Sequence, residues 1–439
     1  MAGGGEDVVP RPPRPQAAAR GGRRRKHQTP LLPLDVILEI AALTDPATLV
    51  LCAATCGDVR GRVADPSFHR RLRLRHVADR FVPSLLRGHV EVRYLDDYSS
   101  LALHLVDIAA ADTTTARLPT AADGFPPHPD GKRWHQPVAS RDGLLLVRTT
   151  DWIKPPHEEL RVCDMATGRS QTLPPEPTFP AGVAQKNWDP YVLLVGDGEA
   201  GGAASDGIGV RPFQVLKTNL VMSGHHRYLE TQTFSSANGA WDRYTEIRTP
   251  HLHGSSVLQR VRPLVACGAV HWLCVTKSAG YVLKLHVRTA QVNVTTLPVS
   301  FPCYEFGFGV DYLLAMAGGG ELMVLVADGK NNNISAWAQT KPQMAKWKQR
   351  PQVVMENEVL LRFSNARWSG TFNVQLHWFA ERSGLVLLSS FGYGEFWLDL
   401  RSMEIVRWFP GSPDLHYRTE CLPYEMDLAS WVPTFSNTI

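Results

Sequence analysis

One segment recurs along most of the chain, and it narrows the possible folds more than any other feature. An alternating, strand-like run is followed by a short polar turn and a second run that ends in Leu-Pro or at a Trp. The three clearest copies span residues 160–174, 285–298 and 397–410, and weaker copies end at Pro119, Trp241 and Trp347. The copies recur about every 50–70 residues, which indicates a repeat architecture.

The residue pattern between the copies predicts a mainly β fold. From about residue 91, short apolar runs alternate with Gly, Pro, Asp and Asn clusters, as in all-β domains. Small sheets that are apolar on both faces are unstable alone but bury one another when arranged radially. Blades of a β-propeller recur at about 40–50 residues, and loop insertions lengthen that interval. Six copies predict a propeller of about six blades, and seven blades stay possible. A final strand around residues 427–432 is predicted to pair with the first blade and close the ring.

A short helical stretch precedes this domain, at about residues 31–77. Asp45-Pro46 and Asp65-Pro66 have the composition of helix starts, because aspartate is a favoured N-cap and proline fits the first helical turn. Apolar stripes indicate three helices, and they comprise Val36, Ile37 and Ile40, then Leu49, Cys52, Ala53 and Cys56, then Phe68 and Leu72. So short a stretch cannot bury all of its apolar surface, and a leftover apolar face predicts a protein partner.

The helical stretch resembles an F-box, the motif by which substrate adaptors dock on a Skp-type linker of a cullin–RING ubiquitin ligase. The matching residues are Leu32, Pro33, Ile37, Glu39, Ile40, Asp45, Pro46, Leu49, Cys56, Asp65, Pro66, Ser67 and Phe68. Family members often have Trp three residues after the cysteine, where this chain has Val59. The resemblance implies that Leu32, Pro33, Ile37, Ile40 and Leu49 contact the Skp-type linker.

A second resemblance lies in the repeat domain. The Asp142-Gly143 pair with its following apolar run, then Asp164, Thr167-Gly168 and Leu173-Pro174, is similar to the propeller domains that follow F-boxes in many plant proteins. Together the resemblances imply a substrate-recruiting ligase subunit whose propeller binds a target protein. The expected organisation is a disordered basic tail at 1–29, an F-box at 30–90 and a substrate-recognition propeller at 91–439.

Charge and composition limit the other functions. Residues 1–30 hold seven Lys or Arg against two Asp or Glu, which is 7 − 2 = +5, whereas the whole chain is +4. The remainder is therefore about −1, which argues against a nucleic-acid-binding body. Residues 23–26 are a candidate nuclear import patch. The sequence contains no apolar run of transmembrane length and no secretory signal, and its seven cysteines lack a C-x-x-C pair. We therefore expect reduced thiols, no membrane partner, and a cytoplasmic or nuclear location.

No sequence motif predicts catalysis, a cofactor or a metal. The glycines at 196–201 have G-x-G-x-x-G spacing, but the Gly-rich residues after them cannot form the helix of a dinucleotide site. The histidines at 225–226, 251 and 253 are best explained as loop residues. Two alternatives to the ligase hypothesis stay open. One is a propeller scaffold with a degenerate F-box, and the other is a propeller hydrolase with carboxylates or histidines converging on its channel.

Overall fold

We describe a computed structural model of the chain. The structure describes residues 32–43, 46–63, 65, 67–68, 81–94, 101–108, 115–117, 133–151, 157–165, 167–180, 188–195, 212–222, 227–250, 252, 257, 260–303, 309–341, 346–364, 374–390, 393–410 and 421–426. Among them, no helix has the length and apolar character needed to cross a membrane.

Six antiparallel sheets follow one another along the chain, and we number them as blades 1–6. Blade 1 contains β1 (Leu86–Tyr94), β2 (Leu101–Asp107), β3 (Thr115–Arg117) and β26 (Leu422–Glu425). Blade 2 contains β4 (Arg133–Arg141), β5 (Leu144–Asp151), β6 (His157–Asp164) and β7 (Arg169–Thr172). Blade 3 contains β8 (Tyr191–Val195), β9 (Phe213–Met222), β10 (Arg227–Ser235), β11 (Ala240–Trp241) and β12 (Thr245–Arg248).

The second half of the ring repeats the pattern. Blade 4 contains β13 (Pro263–Ala266), β14 (Ala269–Val275), β15 (Gly280–His286) and β16 (Gln291–Thr296). Blade 5 contains β17 (Val310–Met316), β18 (Leu322–Asp328), β19 (Asn333–Lys341), β20 (Lys346–Trp347) and β21 (Gln352–Glu356). Blade 6 contains β22 (Val374–Ala380), β23 (Leu385–Ser390), β24 (Gly394–Asp399) and β25 (Glu404–Phe409). The fold is a six-bladed β-propeller, as the sequence predicts.

Burial along the strands explains why these sequences form blades. Every residue of β14 is buried, because neighbouring blades cover both faces of an inner strand. The outer strand β16 has no fully buried residue, and its first four positions alternate between exposed and partly buried, as expected of a strand with one covered face. The stack of Trp188 on Trp272, with ring centroids 5.4 Å apart, joins the cores of blades 3 and 4.

The recurring segment is the outer hairpin of a blade. Its three clear copies coincide with β6–β7, β15–β16 and β24–β25, in blades 2, 4 and 6. Of the weaker copies, Trp241 ends β11 and Trp347 ends β20, while Pro119 lies outside the described residues beyond β3. The six copies therefore correspond to six blades.

A C-terminal strand closes the ring, as predicted, but it lies earlier in the chain than the predicted one. β26 pairs with β1, with Val90 opposite Leu422, so blade 1 combines strands from both ends of the propeller. The predicted closing strand at 427–432 lies outside the described residues, and the observed one ends at Glu425. Similarly, β1 begins at Leu86, ahead of the predicted domain boundary at residue 91.

The N-terminal segment contains α1 (Leu34–Leu43), α2 (Pro46–Thr55) and α3 (Gly57–Val63), and the propeller contains a further short helix, α4 (Glu358–Ser364). The sequence did not predict a separate helix at α3, since it placed the chain from Leu49 to Cys56 in one helix and the next start at Asp65. Ser67 and Phe68 are helical, whereas Leu72 lies outside the described residues. The Asp65 carboxylate accepts a hydrogen bond from the Ser67 amide at 2.7 Å, which is the expected capping contact.

Candidate functional site

The three N-terminal helices pack around a small core of their own. α1 contributes Leu38 and Ala41 to it, and α3 contributes Val59 and Val63. Leu49 and Ala53 from α2 complete this core together with Phe68. Val59 is 3% exposed, so the position where the F-box family often has Trp is here a valine within the helical core.

Large apolar side chains remain on the outside of these helices. Val36 and Ile40 are 41% and 49% exposed on α1, and Leu51 is 65% exposed on α2. Val36 and Ile40 are four residues apart and therefore share one helical face. Leu32, 56% exposed, precedes the same helix. Because α1 is apolar on two sides, one side fills the helical core and the other leaves an apolar face exposed.

The five residues that the resemblance assigned to the Skp-type linker fall into three groups. Leu32, Pro33 and Ile40 are exposed and belong to the free apolar side. Ile37 is half-buried and packs against the helical core. Leu49 is 2% exposed inside that core, where it supports the surface from beneath.

Polar contacts determine where these helices begin and end. The Pro33 carbonyl accepts hydrogen bonds from the amides of Val36 and Ile37 at 3.0 and 3.1 Å, so α1 starts immediately after Pro33. The Arg60 guanidinium donates to the carbonyls of Ala53 and Ala54 at 3.1 and 3.3 Å, which caps the end of α2. These contacts fix the start of α1 and the end of α2.

A second polar site links blades that are not neighbours in the ring. The Arg141 guanidinium pairs with the Glu381 carboxylate, which also accepts a hydrogen bond from the Val265 amide at 2.7 Å. Arg382 forms a two-point contact with Asp142, at 2.9 and 3.0 Å. These contacts join blades 2, 4 and 6, and blades that are not neighbours can meet only near the propeller axis. Glu425, on β26 of blade 1, joins the cluster by accepting hydrogen bonds from Ser383. We call Arg141, Asp142, Glu381, Arg382, Ser383 and Glu425 the axial network.

Burial and neighbouring charges shift the pKa values of the ionisable groups in the axial network. Burial raises the pKa of Glu381, and Arg141 opposes this rise. Burial also raises the pKa of Glu425 to about 7, although Ser383 donates to its carboxylate from both hydroxyl and amide. Burial lowers the pKa of Arg382, but Asp142 outweighs this effect and the net shift is upward. Each carboxylate here is thus engaged by donors from another blade.

One described group of side chains could hold a metal ion. His89 and Glu91 on β1, Glu395 on β24 and Cys421 next to β26 each offer a ligand atom, and these four atoms lie within 4.8 Å of one another. We call these four residues the closure cluster, because they lie where blade 6 meets blade 1. The sequence predicted no metal site here, since only His89 and Glu91 are close in sequence. The glycines at 196–201 and the histidines at 225–226, 251 and 253 lie outside the described residues.

The protein is a six-bladed β-propeller preceded by a short helical segment. The chain belongs to the family described as a domain of unknown function, DUF7595, which matches residues 131–436. No curated protein matches the sequence.

Several solved structures have a distant similarity to this chain. A chain of the nidogen/laminin complex has 9% identity and a TM-score of 0.38, and the match covers 76% of this chain and 95% of that one. TolB from Acinetobacter baumannii has 9% identity and a TM-score of 0.34, over 76% and 65% of the two chains. The Dos1 propeller has 15% identity and a TM-score of 0.30, over 71% and 66%.

Proposed function

We propose that the protein is the substrate-recruiting subunit of a Skp–cullin–F-box ubiquitin ligase. The observation that carries the proposal is the exposed apolar side of α1, where Val36 and Ile40 share one helical face and Leu32 precedes the helix. The helices already have a core of their own, so these large exposed side chains are not needed to fill it. Such an apolar face suits an apolar groove on a partner protein. Their positions include Leu32 and Ile40, which the F-box resemblance assigns to the Skp-type linker.

The propeller supplies the other half of the proposed activity. A rigid ring carries its connecting loops on two faces, and loops on a rigid scaffold are suited to binding a protein target. The adaptor would do no chemistry itself. It would raise the effective concentration of the target near the ubiquitin-carrying enzyme.

We assign the axial network to holding blades together, rather than to catalysis. A propeller hydrolase needs carboxylates or histidines that can act on a substrate in the channel. Asp142 and Glu381 do converge near the axis, but Arg382 and Arg141 engage them directly. This pairing favours a binding protein over the hydrolase alternative.

The test is co-purification of the full chain with a Skp-type linker and a cullin. Ile40→Asp should abolish stoichiometric capture, because a charge placed in an apolar interface costs at least about 2 kcal/mol, or roughly 30-fold in affinity. Val406→Asp is the matched control, since Val406 is also 49% exposed but lies on β25 of the propeller. It should leave capture unchanged.

The same experiment distinguishes the ligase hypothesis from the scaffold alternative. Val59, in place of the Trp that F-boxes often have, favours the scaffold alternative. If the folded wild-type chain captures no Skp-type linker, the protein acts outside a ligase. If Ile40→Asp and wild type are captured equally, the apolar side of α1 is not the docking surface.

A further inference from the structure

We propose that the closure cluster binds one Zn²⁺ ion, which fastens the last blade of the propeller to the first. His89, Glu91, Glu395 and Cys421 supply an imidazole nitrogen, two carboxylates and a thiolate, all of which are zinc ligands. The cluster is the one group of this kind among the residues that the structure describes. This inference is independent of the proposed ligase function.

The fold itself brings the four side chains together. His89 and Glu91 are two residues apart on β1, so both side chains point to one face of blade 1. Val90 pairs with Leu422, which places Glu91 opposite Cys421 one step further along the same antiparallel register. Glu395 reaches this face from β24 of blade 6. A bound ion would therefore connect three separate strands across the closing interface.

The distances are close to those of a four-coordinate zinc site. The Glu395 carboxylate is close to two of the other ligand atoms. Its Oε2 lies 2.8 Å from His89 Nε2, and its Oε1 lies 3.4 Å from Cys421 Sγ. Zinc–ligand bonds of about 2.0–2.3 Å in a tetrahedron place ligand atoms roughly 3.3–3.8 Å apart. The four ligand atoms already lie within 4.8 Å of one another, which exceeds the tetrahedral separation by about 1–1.5 Å at most.

Burial and neighbouring charges fit a structural site with an entry path. The side chain of His89 is fully buried, while that of Glu395 remains 26% exposed and can admit an ion from solvent. Phe409 packs edge-on against the His89 ring at 5.5 Å and limits its orientation. A thiolate and two carboxylates with Zn²⁺ sum to −1, and Arg262 lies near enough to act electrostatically on Cys421.

The mixture of donors selects the metal. Mg²⁺ and Ca²⁺ prefer sites made entirely of oxygen, so Cys421 and His89 disfavour them. Cys and His together with carboxylates suit Zn²⁺, and four protein ligands leave no open position for a catalytic water. The site is therefore structural, and its effect would be on the stability of the ring.

The experiment measures bound metal on the full chain, purified without a histidine tag. We expect about one zinc ion per wild-type chain, and substitution with Co²⁺ should give the charge-transfer absorption of a thiolate ligand. Cys421→Ser and His89→Asn should lose stoichiometric zinc. Cys163→Ser, which changes a buried cysteine in blade 2, is the matched control and should keep it.

A measurement on the wild type alone covers the case in which a variant does not fold. Removing metal with a chelator should lower the thermal midpoint, and Zn²⁺ but not Mg²⁺ should restore it. Wild-type protein that binds no stoichiometric zinc, or whose midpoint is the same with and without zinc, would overturn the proposal. Retention of zinc by both Cys421→Ser and His89→Asn would overturn it equally, because the ion would then lie elsewhere.

Discussion

Asp142→Asn is the sharpest test of the axial network, because it changes one charge and little else. Asp142 occupies the turn between β4 and β5 with a φ of 49°, a conformation that Asn also tolerates well. The side chain keeps its size and one acceptor oxygen. What it loses is the negative charge that faces the Arg382 guanidinium at 2.9 and 3.0 Å.

The magnitude follows from burial. The side chains of Asp142 and Arg382 are 11% and 21% exposed, so the charge left on Arg382 has little access to water. Removing one partner of a buried ion pair costs about 3–5 kcal/mol. In the variant, Glu381 and Glu425 still interact electrostatically with Arg382, and Asn keeps one hydrogen bond to it. We therefore expect a loss at the lower end of this range, about 3 kcal/mol in the free energy of unfolding.

Denaturant unfolding followed by tryptophan fluorescence measures this loss. The control is Asp107→Asn, which removes the same charge from a pair with Arg87, whose side chain is 44% exposed. That exposed pair should contribute less than about 1 kcal/mol, and high salt should weaken it further. If Asp142→Asn costs no more than Asp107→Asn, the axial network does not hold the blades together.

Three further perturbations test other parts of the structure. Gly384→Ala should lower the free energy of unfolding by about 3 kcal/mol, because Gly384 has a φ of 73° and an added Cβ would lie 2.3 Å from the Phe81 ring. Glu425→Gln should flatten the pH dependence of stability. The raised pKa of about 7 means that the folded protein binds this proton more tightly, so the contribution of Glu425 to stability falls by about 3 kcal/mol as the pH rises from 4.5 to 7. Native-state thiol labelling should modify the exposed Cys267 first.

Each of these results has its own control. Gly168→Ala, at a φ of 69° with open space around the added Cβ, should cost only about 1 kcal/mol, and equal losses at both glycines would exclude the Phe81 contact as the cause. Glu158→Gln makes the same change at a side chain that is 53% exposed, and an equal effect of both variants would contradict the role of burial at Glu425. Labelling of Cys274 as fast as Cys267 would contradict its full burial, which raises the pKa of its thiol to about 12.

The blade count was accessible from the sequence because it depends on local pattern. Each outer hairpin carries its own alternation and turn, as in β15–β16, so the period is visible without knowing which blades meet. The helical segment was predictable to a similar extent. Its start at Pro33 and the capping contact of Asp65 depend on residues only a few positions apart.

The face that α1 exposes could not be read from periodicity. Val36, Ile37 and Ile40 form one apolar stripe in the sequence, and Leu34, Leu38 and Ala41 form another. The structure buries Leu38 and Ala41 against α2 and α3 and leaves Val36 and Ile40 outside. A helix that is apolar on two sides has no preferred face until its neighbours are in place.

The sequence by itself therefore determined the mainly β class, the six repeats and a helical segment with apolar surface to spare, since each depends on neighbouring residues. Tertiary structure alone decided which residues close the ring and what its centre contains. Arg141 and Glu381 are 240 residues apart, and the closure cluster combines His89 with Cys421. Contacts at that separation leave no local pattern in the chain, because they exist only once six blades have returned the C-terminal strand to the first sheet.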